Sequence, residues 1–217
     1  MFLRIQLSRK NGREKYGYYE KLQKYNYYSS ITIPPFKELP ESYCYRRKGN
    51  LIEEWKDLRV NDRAKFVQNK QELMDIDAQT TDYLLGTFAP SHMPYAYEFN
   101  TTYDPSLANM TRKAAEILKK NSDGFFLMVE AGHIDKAHHG TKANKAMYDV
   151  MAFDHAIEEF MNLMGDEMEE TLIIVTADHG HTMSFGSYAS RGSNIMGKKL
   201  SGEKEIDLTD SVSLRFC

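Results

Sequence analysis

The 217 residues carry 28 lysines and arginines against 31 aspartates and glutamates, a net charge of -3, with 41% hydrophobic and 27% charged residues. This mixture excludes fibrous and intrinsically disordered classes, and a pI of 6.2 gives no general affinity for nucleic acid or anionic membranes. Cys44 and Cys217 are too few for a disulfide framework, and no apolar run approaches the roughly 20 residues that span a bilayer.

Residues 1–48 are polar and tyrosine-rich, with Ile31-Thr32-Ile33 stopped by Pro34-Pro35, and are expected to be irregular. Met1-Phe2-Leu3 runs at once into Arg4, Gln6 and Ser8, so no signal-peptide core is present; the reading expects an intracellular chain or an N-terminus other than the natural one. From residue 49 the text becomes that of an α/β domain. Leu51 to Leu58 reads as a short amphipathic helix, Ala64–Val67 as a strand, Lys70–Met74 as a helical turn, and Tyr83–Phe88 as a strand closed by Pro90. Asp104-Pro105 predicts a helix with Asp104 as N-cap and Pro105 in its first position. Its apolar stripe is Leu107, Met110, Ala114, Ile117 and Leu118.

Phe125 to Val129 is almost wholly apolar, as expected of a strand buried on both faces. A helix over 141–164 is predicted to turn Ala143, Met147, Val150, Phe153, Ile157, Phe160 and Met164 to the core, before a second buried strand at Leu172–Val175. Alternating helices and strands argue for a mostly parallel sheet with crossover helices, here part of a doubly wound α/β fold. The domain is expected to run from 49 to 197, with 198–217 a polar tail. Few strands can be read, so the chain is expected to be part of a larger domain.

In open α/β sheets, ligands bind beyond the carboxyl ends of the strands. Glu130 ends the first strand; Asp135 and His139, four apart, share one face of a helix; Asp178 and His179 follow the second strand directly. Carboxylate and imidazole are donors that zinc accepts, and carboxylate alone suits magnesium. Each residue has a plainer role open to it: Glu130 as a partner for Lys136, Asp178 as a helix cap, a lone loop histidine as surface. His138 and His181 are weaker candidates that would orient the ligands, His133 is ambiguous, and His92 and His155 read as structural or exposed.

Glu130-Ala131-Gly132-His133-Ile134-Asp135-x-x-x-His139, followed by Thr176-Ala177-Asp178-His179-x-His181, closely resembles alkaline phosphatase of the animal type. Supporting text includes Asn50-Leu51-Ile52-Glu53-Glu54-Trp55, Glu72-Leu73-Met74, Asp104-Pro105-Ser106-Leu107 and Arg191-Gly192. The resemblance implies two zinc ions and one magnesium ion, with Glu130 on magnesium, Asp135 and His139 on one zinc, and Asp178 and His179 on the other. It implies hydrolysis of phosphate monoesters through a phosphoserine, with Lys136 contacting phosphate through water. It also implies a homodimer, no nucleic-acid partner, and a cell-surface or extracellular site held by an anchor not found in this sequence. The family's calcium site resembles the stretch containing the Phe88 carbonyl and the Asp104 carboxylate, but Ala89 stands where a further carboxylate is expected, so calcium binding is doubtful.

The family's nucleophile turn and its upstream metal and phosphate ligands have no counterpart in residues 1–50, and no histidine follows His181. Asp210-Ser211-Val212 looks like the nucleophile turn but lies on the wrong side of the matched text. A partial site with negligible turnover is therefore expected. Asn100-Thr101-Thr102 and Asn109-Met110-Thr111 are glycosylation sequons that fit a secreted or anchored protein. Two other readings share the ligand motifs: a phosphodiesterase or sulfatase-type relative, and a non-catalytic chain that binds only metal or a partner.

Overall fold

A computed structural model describes residues 51–60, 62–181, 199–201 and 204–206, the last two stretches in backbone only. The architecture is α/β. Helix α1 (Leu51–Asp57) leads into strand β1 (Ala64–Val67), helix α2 (Lys70–Met74) and strand β2 (Tyr83–Gly86). The two strands pair in parallel, from Ala64 opposite Tyr83 to Val67 opposite Gly86. A parallel pair needs a crossover connection, and α2 supplies it. Asn69 caps α2 by accepting from the Glu72 amide at 2.9 Å, while the Glu72 carboxylate accepts from the Gln68 amide at 2.6 Å. These bonds satisfy amides that a helix start leaves unpaired. Gly86 lets the Phe88 ring close over the end of β2, where a β-carbon would meet it at 2.7 Å and push it aside.

Helix α3 (Leu107–Leu118) starts two residues later than Asp104-Pro105 predicts. Ser106 is the N-cap: its hydroxyl accepts from the Asn109 amide at 3.1 Å, and the Asn109 side chain accepts from the Ser106 amide at 3.1 Å. Asp104 is drawn off because its carboxylate accepts from the Asn100 amide at 2.9 Å, bracing the preceding turn. The predicted stripe of α3 is buried in full, with Leu107 0% exposed. Leu107, Ala108 and Met110 form one cluster with Val67, Leu73, Met93 and Ala156. Lys113 reaches across to the Ile76 carbonyl at 2.9 Å, keeping its ammonium hydrogen-bonded while its stem is buried.

Helix α4 (His133–His139) and the long helix α5 (Ala143–Met164) complete the helical layer, both α3 and α4 packing on α5. The inward face of α5 is rotated from the predicted one. Ala146, Asp149, Ala156 and Met164 are buried, whereas Met147 and Val150 are 49% and 41% exposed. Ala156 of that face lies in the same cluster as Ala108 of α3. Arg112 of α3 and Glu159 of α5 then pair at 3.2 Å along the seam. A 3-10 turn at Gly165–Glu170 ends α5, with Gly165 at a φ of 53°, a conformation that favours glycine.

Three further expectations are corrected. Phe125–Val129 and Leu172–Val175 form no regular element and join no ladder among the described residues, and of this text only Glu130 makes a single bridge. Leu172, Ile174 and Val175 are exposed rather than buried. An apolar run becomes a strand only when a neighbour accepts its backbone hydrogen bonds, and the sheet described here consists of β1 and β2 alone. The polar tail contains an antiparallel pair, β3 (Lys199–Ser201) with β4 (Lys204–Ile206), across a Gly202-Glu203 connection of hairpin length. Residues 1–48 and the glycines beyond residue 181 lie outside the described residues. No described helix is long and apolar enough to cross a membrane.

Candidate metal centre

The site is built from α4 and from the segment that follows Leu172–Val175. Helix α4 begins after Gly132 without a side-chain cap and ends at Gly140. Within its two turns Asp135 and His139 share a face, as the four-residue spacing requires, with His139 Nε2 3.4 Å from Asp135 Oδ2. The second segment brings His181, whose Nε2 lies 3.5 Å from Asp135 Oδ1, and the His139 and His181 rings meet edge to face at 4.8 Å. One ligand atom from each of Asp135, His139 and His181 falls within 4.8 Å of the other two. His179 Nε2 stands 3.8 Å from Asp135 Oδ1 and 3.6 Å from Asp178 Oδ2.

Carboxylate and imidazole in such a group are donors a divalent metal ion accepts. The 3.4 Å approach is to Asp135 Oδ2 and the 3.5 Å approach to Oδ1, so the two imidazoles flank the two oxygens of one carboxylate, and a single oxygen with both imidazole nitrogens stays within 4.8 Å. Asp135 Oδ1 is buried and accepts no hydrogen bond among the described residues, a costly state that a cation would relieve. His179 Nδ1 lies 3.0 Å from the Gly180 carbonyl and donates to it, which leaves Nε2 as the nitrogen turned to Asp135. That hydrogen bond, then the Asp178 carboxylate, raises the His179 pKa.

The other candidates lie around this cluster. The His138 ring packs edge-on to His181 at 5.3 Å, and burial followed by the nearby His181 lowers its pKa. The half-buried Lys136 amine is lowered by burial and then by Lys145. Glu130 is exposed at its bridge position, and the Asp178 side chain is 83% exposed. Asp135, His139, His179 and His181 are thus drawn together, while Asp178 touches the group only through His179. Away from the cluster, Phe88 packs against the hydrophobic core, and Asp104 is buried with its carboxylate engaged by Asn100.

Sequence reasoning gave His181 a lesser place than the geometry does, and it missed Asp149. His133 and Asp149 are each 1% exposed, with His133 Nδ1 3.9 Å from Asp149 Oδ1. Burial pushes the His133 pKa down to about 3 and that of Asp149 up to about 6. The signal was present, since an aspartate at an inward position of a helix calls for a polar partner. The rotated face of α5 concealed it.

The chain matches the family described as alkaline phosphatase over residues 34–212. It is 39% identical over 176 residues to the alkaline phosphatase of Gadus morhua, covering 81% of this chain and 36% of that protein. It is 38% identical over 177 residues to the tissue-nonspecific alkaline phosphatase of Homo sapiens, covering 81% and 33%. The crystal structure of the Thermus thermophilus alkaline phosphatase aligns at a TM-score of 0.48 and 31% identity, covering 56% of this chain and 25% of that one. The chain therefore spans about a third of the length of the curated relatives it matches, at 36% and 33%. With a family match over residues 34–212, the chain belongs to the alkaline phosphatase family.

Proposed function

We propose that the chain supplies part of a zinc- and magnesium-dependent centre that hydrolyses phosphate monoesters. In this reading Asp135 and His139 hold one zinc, Asp178 and His179 the second, and Glu130 the magnesium. The observation that carries it is the convergence of Asp135, His139 and His181 within 4.8 Å, with His179 beside them. His181 acts on the first zinc's side, either as a donor or by orienting Asp135. Bound zinc supplies charge neutralisation at the phosphoryl oxygens and activation of an oxygen nucleophile. Around it, Asp135 contributes the negative charge, His179 is fixed in one tautomer by Gly180, and Lys136 offers an ammonium to a phosphate through water. The serine nucleophile is not among these residues, so the chain on its own should leave p-nitrophenyl phosphate essentially unhydrolysed. The same reading takes the intact protein to be carried on the cell surface and to pair as a homodimer, and the exposed Asn100 sequon supports the former. Calcium is not part of the proposal.

Zinc uptake by the purified chain tests this. At zinc one hundred times Kd, thermal or urea unfolding should show about 2.7 kcal/mol of added stability, reversed by EDTA. Asp135→Asn and His139→Ala should each remove most of that gain. A chain that takes up no zinc, or whose uptake ignores both substitutions, refutes the centre.

A further inference from the structure

We propose that His133 and Asp149 are positioning residues: a buried polar couple between α4 and α5 that sets the roll of α4 and so aims Asp135 and His139 at His181. The proposal rests on the metal reading above for its consequence, though not for its geometry. His133 is the first residue of α4, two before Asp135 and six before His139. A seven-residue helix without a side-chain cap has little stability of its own and takes its orientation from what it packs against.

What it packs against is unusual. His133 is wholly buried with the Tyr95 ring at 4.9 Å on one side and Asp149 of α5 on the other. Nδ1 of His133 and Oδ1 of Asp149 face each other at 3.9 Å, beyond hydrogen-bond distance, and the Pro94 backbone also lies against the imidazole. The second oxygen of Asp149 accepts from the Ala96 amide at 3.3 Å, tying in the 3-10 turn Ala96–Glu98 that follows Tyr95. Asp149 is thus bonded to the 3-10 turn and faces α4, and keeping its Oδ1 opposite Nδ1 favours one orientation of the imidazole. Apolar packing alone would accept several rolls of so short a helix. Two buried polar groups that leave water only while facing each other favour one, and a roll of one residue step would carry Asp135 and His139 off the face that meets His181.

Buried polar couples of this kind add little net stability and are often replaced by apolar groups without loss. That separates positioning from mere filling. His133→Leu in the full 217-residue chain should melt, metal-free, at or above the wild-type temperature, yet bind zinc about tenfold more weakly in chelator competition. Unchanged zinc affinity in a folded His133→Leu variant overturns the proposal. Should that variant not fold, Asp149→Asn and Asp149→Leu decide it. Asn keeps the shape, the Ala96 acceptor and a group able to bond the imidazole, so its affinity should stay within about threefold of wild type, with Leu about tenfold weaker. Equal affinities for the two would overturn the assignment. If the wild-type chain binds no zinc, the metal reading falls separately. Amide exchange at Lys136 and Gly140, measured metal-free, then tests the couple: about tenfold faster in Asp149→Leu than in Asp149→Asn supports it, and equal rates refute it.

Discussion

Among the described residues Ala64–Val67 and Tyr83–Gly86 form a sheet, whereas Phe125–Val129 and Leu172–Val175, which are at least as apolar, do not. Each strand of the first pair has its partner in register and a helix to cover it, with Val67 and Leu85 buried. The second pair divides. Phe125 meets Phe160 of α5 edge-on at 6.4 Å, and Val129 packs against the core. Leu172 stands 83% exposed. Strand composition is therefore a statement about what a segment does once it has a neighbour, and burial follows pairing rather than preceding it.

The largest test of that contrast strikes the packed half. Leu107 is 0% exposed and sits among Val67, Leu73 and Ala156, where β1, α2, α3 and α5 meet. Leu107→Ala should lower unfolding stability by about 3 kcal/mol, measured by urea titration, through lost transfer energy and the cavity left behind. A loss below about 1 kcal/mol would mean that this region is not the core.

The same contrast explains what the sequence made legible. A helix satisfies its own backbone, so α3 and α5 could be read from period and caps without knowing their neighbours. Asp135 and His139 were likewise legible as one face, because spacing within a helix fixes geometry. Joining them to His181 needs the path from α5 through residues 165–180, which no periodicity encodes. Bulk does not mark the inward face of α5: Ala146 and Ala156 are inside, and Met147 and Val150 are not. Asp149 stayed hidden for the same reason. The N-cap of α3 moved from Asp104 to Ser106 because both residues can cap, and the Asn100 amide claimed the aspartate.

A smaller effect sharpens the contrast at the start of the paired strands. Arg63 grips Asp82 with two hydrogen bonds, 2.9 and 2.8 Å, immediately before β1 and β2. That guanidinium, aided by Lys120, holds the Asp82 pKa at about 2 rather than 3.8. The folded pKa lies below the unfolded one, so the contribution is fully present above about pH 4 and is lost as pH falls towards 2. With Arg63 more than half exposed, solvent screening limits it to about 1 kcal/mol. Stability curves of wild type and Asp82→Asn should lie apart at pH 5 and converge by pH 2; a gap that persists at pH 2 would assign the effect to packing.

The smallest effect belongs to the unpaired half, and it is the one that can break the comparison. Hydrophobic stabilisation is proportional to apolar area taken from water, and at 83% exposure Leu172 withdraws little of its own. Leu172→Ala should therefore change the stability of this chain by less than about 0.5 kcal/mol, within the range of ordinary surface substitutions. Ile173, the half-buried member of the run, should respond more strongly to the same change, since it withdraws more apolar area from water. A loss at Leu172 above about 1.5 kcal/mol would require that its side chain be covered in solution. The two apolar runs would then differ in what covers them, not in whether they are covered.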